Sequence, residues 1–206
     1  MLKKFKQLKK VNSRTYFIAE IGINHNGDLK NALKLIQAAK LAGCDAVKFQ
    51  KRNPKECVPK NEWNNLRDTP WGKMTYINYK EKIEFNKNDY KRIINYFKKI
   101  DIDWFASCWD ISSVKFMEKL KIPCYKIASA SLTDTRLLRE IKKTKKPIIL
   151  STGMSTMKQI LIAVKTLGQK NLAILHCNSS YPAKYEKLNL NMIKKFKKIF
   201  SKSIIG

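Results

Sequence analysis

The sequence predicts an α/β fold in which a parallel sheet curls toward a barrel, and three observations carry that prediction. Short apolar runs of strand length alternate strictly with longer segments of helical periodicity from residue 16 onward. Such alternation, with near-continuous apolar strands, is the pattern of a parallel sheet covered by helices. Six strands in turn carry polar residues at their carboxyl ends: Glu20, Lys48, Ser107, Lys126 with Ser129, Ser151 with Thr152, and His176 with Ser179. Barrel sites gather residues from the ends of many strands on one face. A doubly wound sheet concentrates them at one switch point, usually with a glycine-rich phosphate loop, and neither G-x-G-x-x-G nor a Walker sequence occurs here. The expectation is a TIM (β/α)8-type barrel. With about six βα units and the start of strand 7 it is expected to be incomplete, because closed barrels of this type run to about 250 residues.

Each element has its own signal. Residues 1–14 read as a basic lead-in, and residues 15–206 as the partial barrel domain. Strand 1 is Tyr16–Gly22. Asp28 then caps a helix with Leu29, Ala32, Leu33, Leu35, Ile36, Ala39 and Leu41 at helical spacing, ending at Gly43. Strand 2 is the short Ala46–Phe49. Residues 51–86, rich in Asn, Pro, Trp and charge, read as one long loop, and so long an insertion is usually a lid or substrate loop. The alternation then resumes. Helices are expected at Tyr90–Ile100, Ser112–Leu120, Thr135–Thr144, Thr156–Leu167 and about Leu190–Phe200. Strands are expected at Trp104–Ser107, Cys124–Ala128, Pro147–Leu150 and Leu172–Leu175, and Ser203–Gly206 reads as the start of one more.

Composition limits the function classes. A hydrophobic fraction of 44% belongs to a globular chain. No apolar run approaches the roughly 18–20 residues of a membrane span, and no apolar segment of a signal peptide follows the basic N-terminus, so a cytoplasmic protein is expected. The net charge of +27 invites a nucleic-acid reading. Yet the basic residues are 37 lysines against six arginines, and base-edge readout favours Arg. An anionic small substrate suits the charge equally well. Five cysteines without CxxC or zinc spacing argue for reduced thiols, and His25 and His176 have no companions at metal-ligand spacing.

The strand ends carry the chemistry. Glu20 interrupts an apolar run, and an acid there is costly unless it faces a mouth. Lys48 and Lys126 sit among apolar neighbours, so each needs an anionic partner or a lowered pKa. With Ser107, Ser129 and Ser151 they suit a phosphate plus a carboxylate; a Schiff base on one lysine, or pairing with structural acids, is the alternative. Ser-Thr-Gly at 151–153, opening onto a helix, adds backbone amides for an anion. His176 fits a ligand, an acid-base group or a packed imidazole. It cannot form a dyad with Cys177, because adjacent strand residues point to opposite faces.

The segments AEIGINHNG (19–27), AVKFQ (46–50), FASCWD (105–110), YKIAS (125–129), PIILSTGM (147–154) and HCNSSYP (176–182) resemble, in order and spacing, those of the sialic acid synthase family. The insertion RDTPWGKMTY (67–76) resembles a branch of it. The resemblance implies a TIM barrel that condenses phosphoenolpyruvate with an N-acylated aminosugar aldehyde, typically N-acetylmannosamine, releasing phosphate. It implies that Lys48, Ser107, Lys126, Ser129, Ser151 and Ser179 contact phosphoenolpyruvate, and that Glu20 (the catalytic candidate) and Tyr181 face the sugar. Ser107 replaces the family's usual Thr, and Ser179 stands where some relatives have Asn. A divalent metal, Mn2+ or Mg2+, serves the family as a Lewis acid. Its ligands are expected beyond Gly206, so no metal site is expected in this chain. The resemblance also implies a possible homodimer or a complementing C-terminal chain, with neither nucleic acid nor membrane as partner. Synthases of pseudaminic or legionaminic acid, and a non-catalytic basic module binding nucleic acid, are the alternatives.

Overall fold

A computed structural model of the protein describes residues 14–206. Of the basic lead-in only Arg14 falls inside this range; it forms an ion pair with the buried Asp45.

The chain runs β1 (Ile18–Gly22), α1 (Leu29–Leu41), β2 (Ala46–Lys51), α2 (Pro54–Cys57), β3 (Leu66–Thr69), β4 (Gly72–Thr75), α3 (Tyr76–Lys82), α4 (Lys87–Ile100), β5 (Asp103–Cys108), α5 (Ile111–Lys119), β6 (Tyr125–Ile127), α6 (Thr135–Lys143), β7 (Ile148–Ser151), α7 (Met157–Leu167), β8 (Leu172–Leu175), α8 (Asn191–Ile199) and β9 (Ile204–Ile205). Seven strands form one parallel sheet in the order β1-β2-β5-β6-β7-β8-β9. Although β1 and β9 end that order, Ile18 of β1 and Ile205 of β9 line the same cavity of about 860 Å3, together with Ile149, Ala173 and Leu175. The sheet has curled into an open half-barrel, as the alternation predicts.

Local chemistry explains where the helices begin. Asp28, Asn86, Asp110, Asp134 and Thr156 each turn a side-chain oxygen onto backbone N–H groups of the first helical turn, which answers donors that a helix start leaves unpaired. Asn86 with Asp89 and Thr156 with Gln159 form reciprocal capping boxes. The helices bury one stripe against the outer face of the sheet. Behind β2 and β5, α4 brings Tyr90 and Phe97 onto Phe49 and Trp104, with Phe97 and Trp104 stacked at 5.5 Å between ring centres. Removing a fully buried Phe such as Phe97 costs about 3–5 kcal/mol.

The expected loop over 51–86 is corrected. It holds α2, a hairpin of β3 and β4, and α3. The hairpin turns through Pro70 and Trp71, Thr69 pairs with Gly72, and Thr69 Oγ1 donates to the Gly72 carbonyl at 2.7 Å. Gly72 adopts φ +89°, which glycine takes without strain. Elements of four residues are too short to show a period, so polar composition masked them. The insertion is anchored at both ends. Asp110 accepts from Asn53 N at 2.7 Å, and Gly27 lies so close to the end of α3 that an added Cβ would stand 2.4 Å from the Lys82 carbonyl oxygen. Strand β2 also runs two residues past its expected end, to Lys51.

Candidate active site

Strand parity decides which side chains face the barrel interior. On β2, Phe49 packs on Tyr90 and Phe97 of α4, and Lys51 lies over Phe116 of α5. The alternate residues Lys48 and Gln50, and Arg52 just beyond the strand, therefore face inward. Lys48 is the register partner of Glu20 on β1, and its Nζ lies 2.5 Å from Glu20 Oε2. The Lys48 side chain is 6% exposed and that of Glu20 is 56%, so the pair spans the boundary between floor and mouth.

Across β5, Ser107 is the register partner of both Gln50 and Lys126. Lys126 has a lowered pKa, first because burial disfavours the ammonium and second because Lys48 is close by; Glu20 and Cys177 act in the opposite sense. Two cations thus share one carboxylate. Ser107 Oγ, in a side chain only 1% exposed, has no hydrogen-bond partner. A buried orphan hydroxyl next to two clustered cations is a site prepared for an acceptor-rich anion.

The serines converge on a glycine. Gly153 N–H donates to Ser129 Oγ at 2.9 Å, and a Cβ on Gly153 would stand 2.4 Å from Ser179 Oγ and 2.9 Å from Ser129 Oγ. Three strand ends, those of β6, β7 and β8, meet on this bare backbone. Thr152 N and Oγ1 both donate to the Leu175 carbonyl, at 3.1 and 2.9 Å, which pins the β7 end to β8. Helix α7 starts at Met157, and Thr156 and Gln159 close its cap, so the open turn lies at 152–155, ahead of the helix rather than on it.

Cys177 Sγ donates to Ser151 Oγ at 3.3 Å. His176 diverges from it, with Nε2 2.7 Å from the Leu188 carbonyl and its ring edge-on to Phe196; of the three readings open from sequence, the packed imidazole matches these contacts. Tyr181 is 96% exposed and stands apart from the cluster. His25 is buried, stacks on Phe85 at 4.1 Å and accepts from Gly27 N at Nδ1. Burial lowers its pKa to about 4 against the opposing pull of the Gly22 carbonyl.

The structure thus gathers Glu20, Lys48, Ser107, Lys126, Ser129, Ser151 and Ser179 on one rim and leaves Tyr181 outside it. Sequence reasoning passed over Gln50, Arg52 and Trp109, considered Cys177 only as a partner for His176, and read Gly153 only as a source of backbone amides. Counting alternate residues past Lys48 and Ser107 would have found Gln50, Arg52 and Trp109.

Both histidine rings are committed to backbone groups, and no set of three His, Cys, Asp or Glu side chains among the described residues is arranged to hold a metal ion. The described residues do not fit a divalent cation. No described helix is long and apolar enough to cross a membrane.

The sequence model of the NeuB family matches residues 35–206. N-acetylneuraminate-9-phosphate synthase of Drosophila melanogaster is 35% identical over 202 residues, 96% of this chain and 54% of its own length. N,N'-diacetyllegionaminic acid synthase of Campylobacter jejuni is 34% identical over 91% of this chain and 58% of its own. The crystal structure of N-acetylneuraminic acid (sialic acid) synthetase from Leptospira borgpetersenii, in complex with citrate, superposes with a TM-score of 0.83 at 29% identity, covering 95% of this chain and 65% of that one. The chain spans about half the length of the curated relatives it matches.

Proposed function

Because the chain belongs to the NeuB family, whose curated relatives here are sugar-acid synthases, we propose that its strand-end pocket is the phosphoenolpyruvate half of a nonulosonic acid synthase site. The observation that carries this reading is the proximity of two inward lysines, Lys48 and Lys126, of which only Lys48 is ion-paired among the described residues (to Glu20), beside the orphan Ser107 hydroxyl.

In this reading the two ammonium groups neutralise the carboxylate and phosphate of phosphoenolpyruvate. Ser107, Ser129, Ser151 and Ser179 add hydroxyl donors, each able to turn its hydrogen toward the ligand. Glu20, held on Lys48 at the mouth, faces the aminosugar aldehyde. The reaction joins the methylene carbon of phosphoenolpyruvate to the aldehyde carbon as the aldehyde π bond opens to an alkoxide; water adds to the phosphate-bearing carbon, and the C–O bond to phosphate then breaks to release phosphate and leave a ketone. In this reading Glu20 accepts the water's proton, a proton ends on the former aldehyde oxygen, and Lys48 keeps the Glu20 carboxylate oriented. Tyr181 would reach the sugar only after the 176–182 segment moves inward. A divalent metal would supply Lewis-acid polarisation of the aldehyde; no described residue is assigned to hold it. N-acetylmannosamine is the first acceptor to test; precursors of legionaminic or pseudaminic acid are the second reading, favoured by the 34% identity to the Campylobacter enzyme. Calorimetric titration of phosphoenolpyruvate into the protein tests the assignment. Binding that disappears in Lys126→Ala supports it, and equal affinity in that variant would sink it.

A further inference from the structure

Among the side chains around the pocket, Cys177 has no part in the chemistry proposed above. Its place on β8 is nevertheless specific. Ala173 and Leu175, at alternate positions before it, line the interior cavity, and parity carries that inward row on to Cys177. His176 turns the other way, onto Phe196 of α8. On the neighbouring strand Ser151 is the register partner of Leu175, and Ile149 is the register partner of both Ala173 and Lys126. The two bonds from Thr152 to the Leu175 carbonyl clamp these strand ends together. Cys177 therefore arrives beside Ser151, and its Sγ lies 3.3 Å from Ser151 Oγ.

The direction of this bond matters more than its strength. A thiol is a weak donor and a poor acceptor, whereas a hydroxyl oxygen accepts readily through two lone pairs. The bond accordingly runs from the thiol hydrogen to Ser151 Oγ. Lys126 reinforces that direction. Cys177 lies close enough to favour the Lys126 ammonium, so the sulfur offers its lone pairs to the cation and its hydrogen to the serine. Once the thiol occupies one lone pair of Ser151 Oγ, the serine's own hydrogen points away from Cys177 and stays uncommitted. Ser129 is set in the same way, because its Oγ takes the Gly153 N–H at 2.9 Å. Ser107 Oγ, in a residue 1% exposed, has no partner among the described residues. Three hydroxyls of the pocket thus keep their hydrogens for an incoming acceptor.

We propose that Cys177 is a positioning residue of the anion pocket: its thiol holds Ser151 Oγ as an acceptor and so presents the serine hydrogen to the bound anion. The inference rests on the reading of this pocket as the phosphoenolpyruvate site. Cys177 acts through Ser151 and needs no contact with the ligand. Without the thiol, the Ser151 hydroxyl spreads over its staggered orientations, of which one serves the anion, and affinity falls by about threefold or more. Alanine removes the donor and leaves space. Valine removes the donor and fills that space. Serine restores a donor.

Calorimetric titration of phosphoenolpyruvate into the wild type, C177A, C177V, C177S, S151A and S151A/C177A tests this, with thermal melts to show that each variant folds. C177A and C177V should bind about three- to tenfold more weakly, the range of one neutral hydrogen bond. C177S should recover most of that loss. In the S151A background, C177A should cost less than about a further twofold, because the interaction it removes is already gone. C177V gives the answer if C177A does not fold, and C177A if C177V does not. Wild-type affinity in the donor-free variants would overturn the inference. Equal losses in C177A, C177V and C177S would overturn it in favour of a packing role. So would a C177A loss that persists undiminished beside S151A. In each of these cases Lys126→Ala would still abolish binding, and the pocket assignment would stand. A wild type that does not bind phosphoenolpyruvate, or equal affinity in Lys126→Ala, removes that assignment and this inference together.

Discussion

Lys48 and Glu20 meet at 2.5 Å across the seam between β1 and β2, whereas Lys126, two strands further on, has Lys48 as its strongest charged neighbour. The floor of the pocket carries two lysines against one carboxylate, an excess of positive charge that suits an anion.

That imbalance separates stability from binding. Lys126→Met removes an ammonium whose charged form is disfavoured by burial and by Lys48, so the melting temperature should rise by a few degrees. Phosphoenolpyruvate affinity should fall by more than about tenfold, since a hydrogen bond to a charged group is worth about 1.5–3 kcal/mol. Thermal melts with and without the ligand check both. A variant that is both less stable and still ligand-responsive would contradict the arrangement.

Gly153 admits no side chain without moving two hydroxyls. Gly153→Ala places a Cβ 2.4 Å from Ser179 Oγ and 2.9 Å from Ser129 Oγ. Affinity for phosphoenolpyruvate should drop about tenfold or more while the fold persists, because the displaced groups are serines at the mouth rather than core residues. Adding Ser179→Gly removes the closest atom and should recover part of the loss. Titration of the single and double variants decides it.

His25 makes stability depend on pH. Its ring is neutral in the fold, with a pKa of about 4 against 6.5 for a free imidazole. Between those values the unfolded chain binds the extra proton, so stability falls as pH drops from about 6.5 to about 4 and changes little from this source above or below. The full effect is on the order of 3 kcal/mol. Urea unfolding at a series of pH values should show the slope in the wild type and a flatter profile in His25→Gln. An unchanged slope would place the titrating group elsewhere.

The insertion hangs on Gly27. Its φ of +67° and the 2.4 Å approach of a Cβ to the Lys82 carbonyl make Gly27→Ala costly on two counts. A loss of at least about 2 kcal/mol is expected, together with faster proteolysis within residues 60–75. Cleavage no faster than in the wild type would mean that α3 does not depend on this contact.

Much of this was legible in the sequence because parallel strands advertise themselves by continuous apolar runs, and because an inward polar residue at a strand end stands out against them. Glu20, Lys48 and Lys126 were visible for that reason. Gln50 and Arg52 were not, since the apolar run of β2 stops at Phe49 while its hydrogen bonding continues to Lys51, and Trp109 lies one residue past the end of β5. Gly153 carries no chemistry of its own and acquires meaning only from Ser129 and Ser179, which are distant along the chain. Within 51–86, short elements held by capping and by contacts to Gly27 and Asp110 have no periodicity to read.

The order of the sheet also bears on how the molecule is made. Each strand of β1-β2-β5-β6-β7-β8-β9 pairs with the next sheet strand along the chain, so no pairing waits for a segment synthesised much later. Most closures between neighbours span a single helix, and such local closures are entropically cheap and fast; the step from β2 to β5 must also enclose the insertion and α4. A nascent chain can therefore add one strand and its covering helix at a time onto a growing template. The Lys48–Glu20 contact arises at the first such addition, and the Gly153 junction only after β8 has docked.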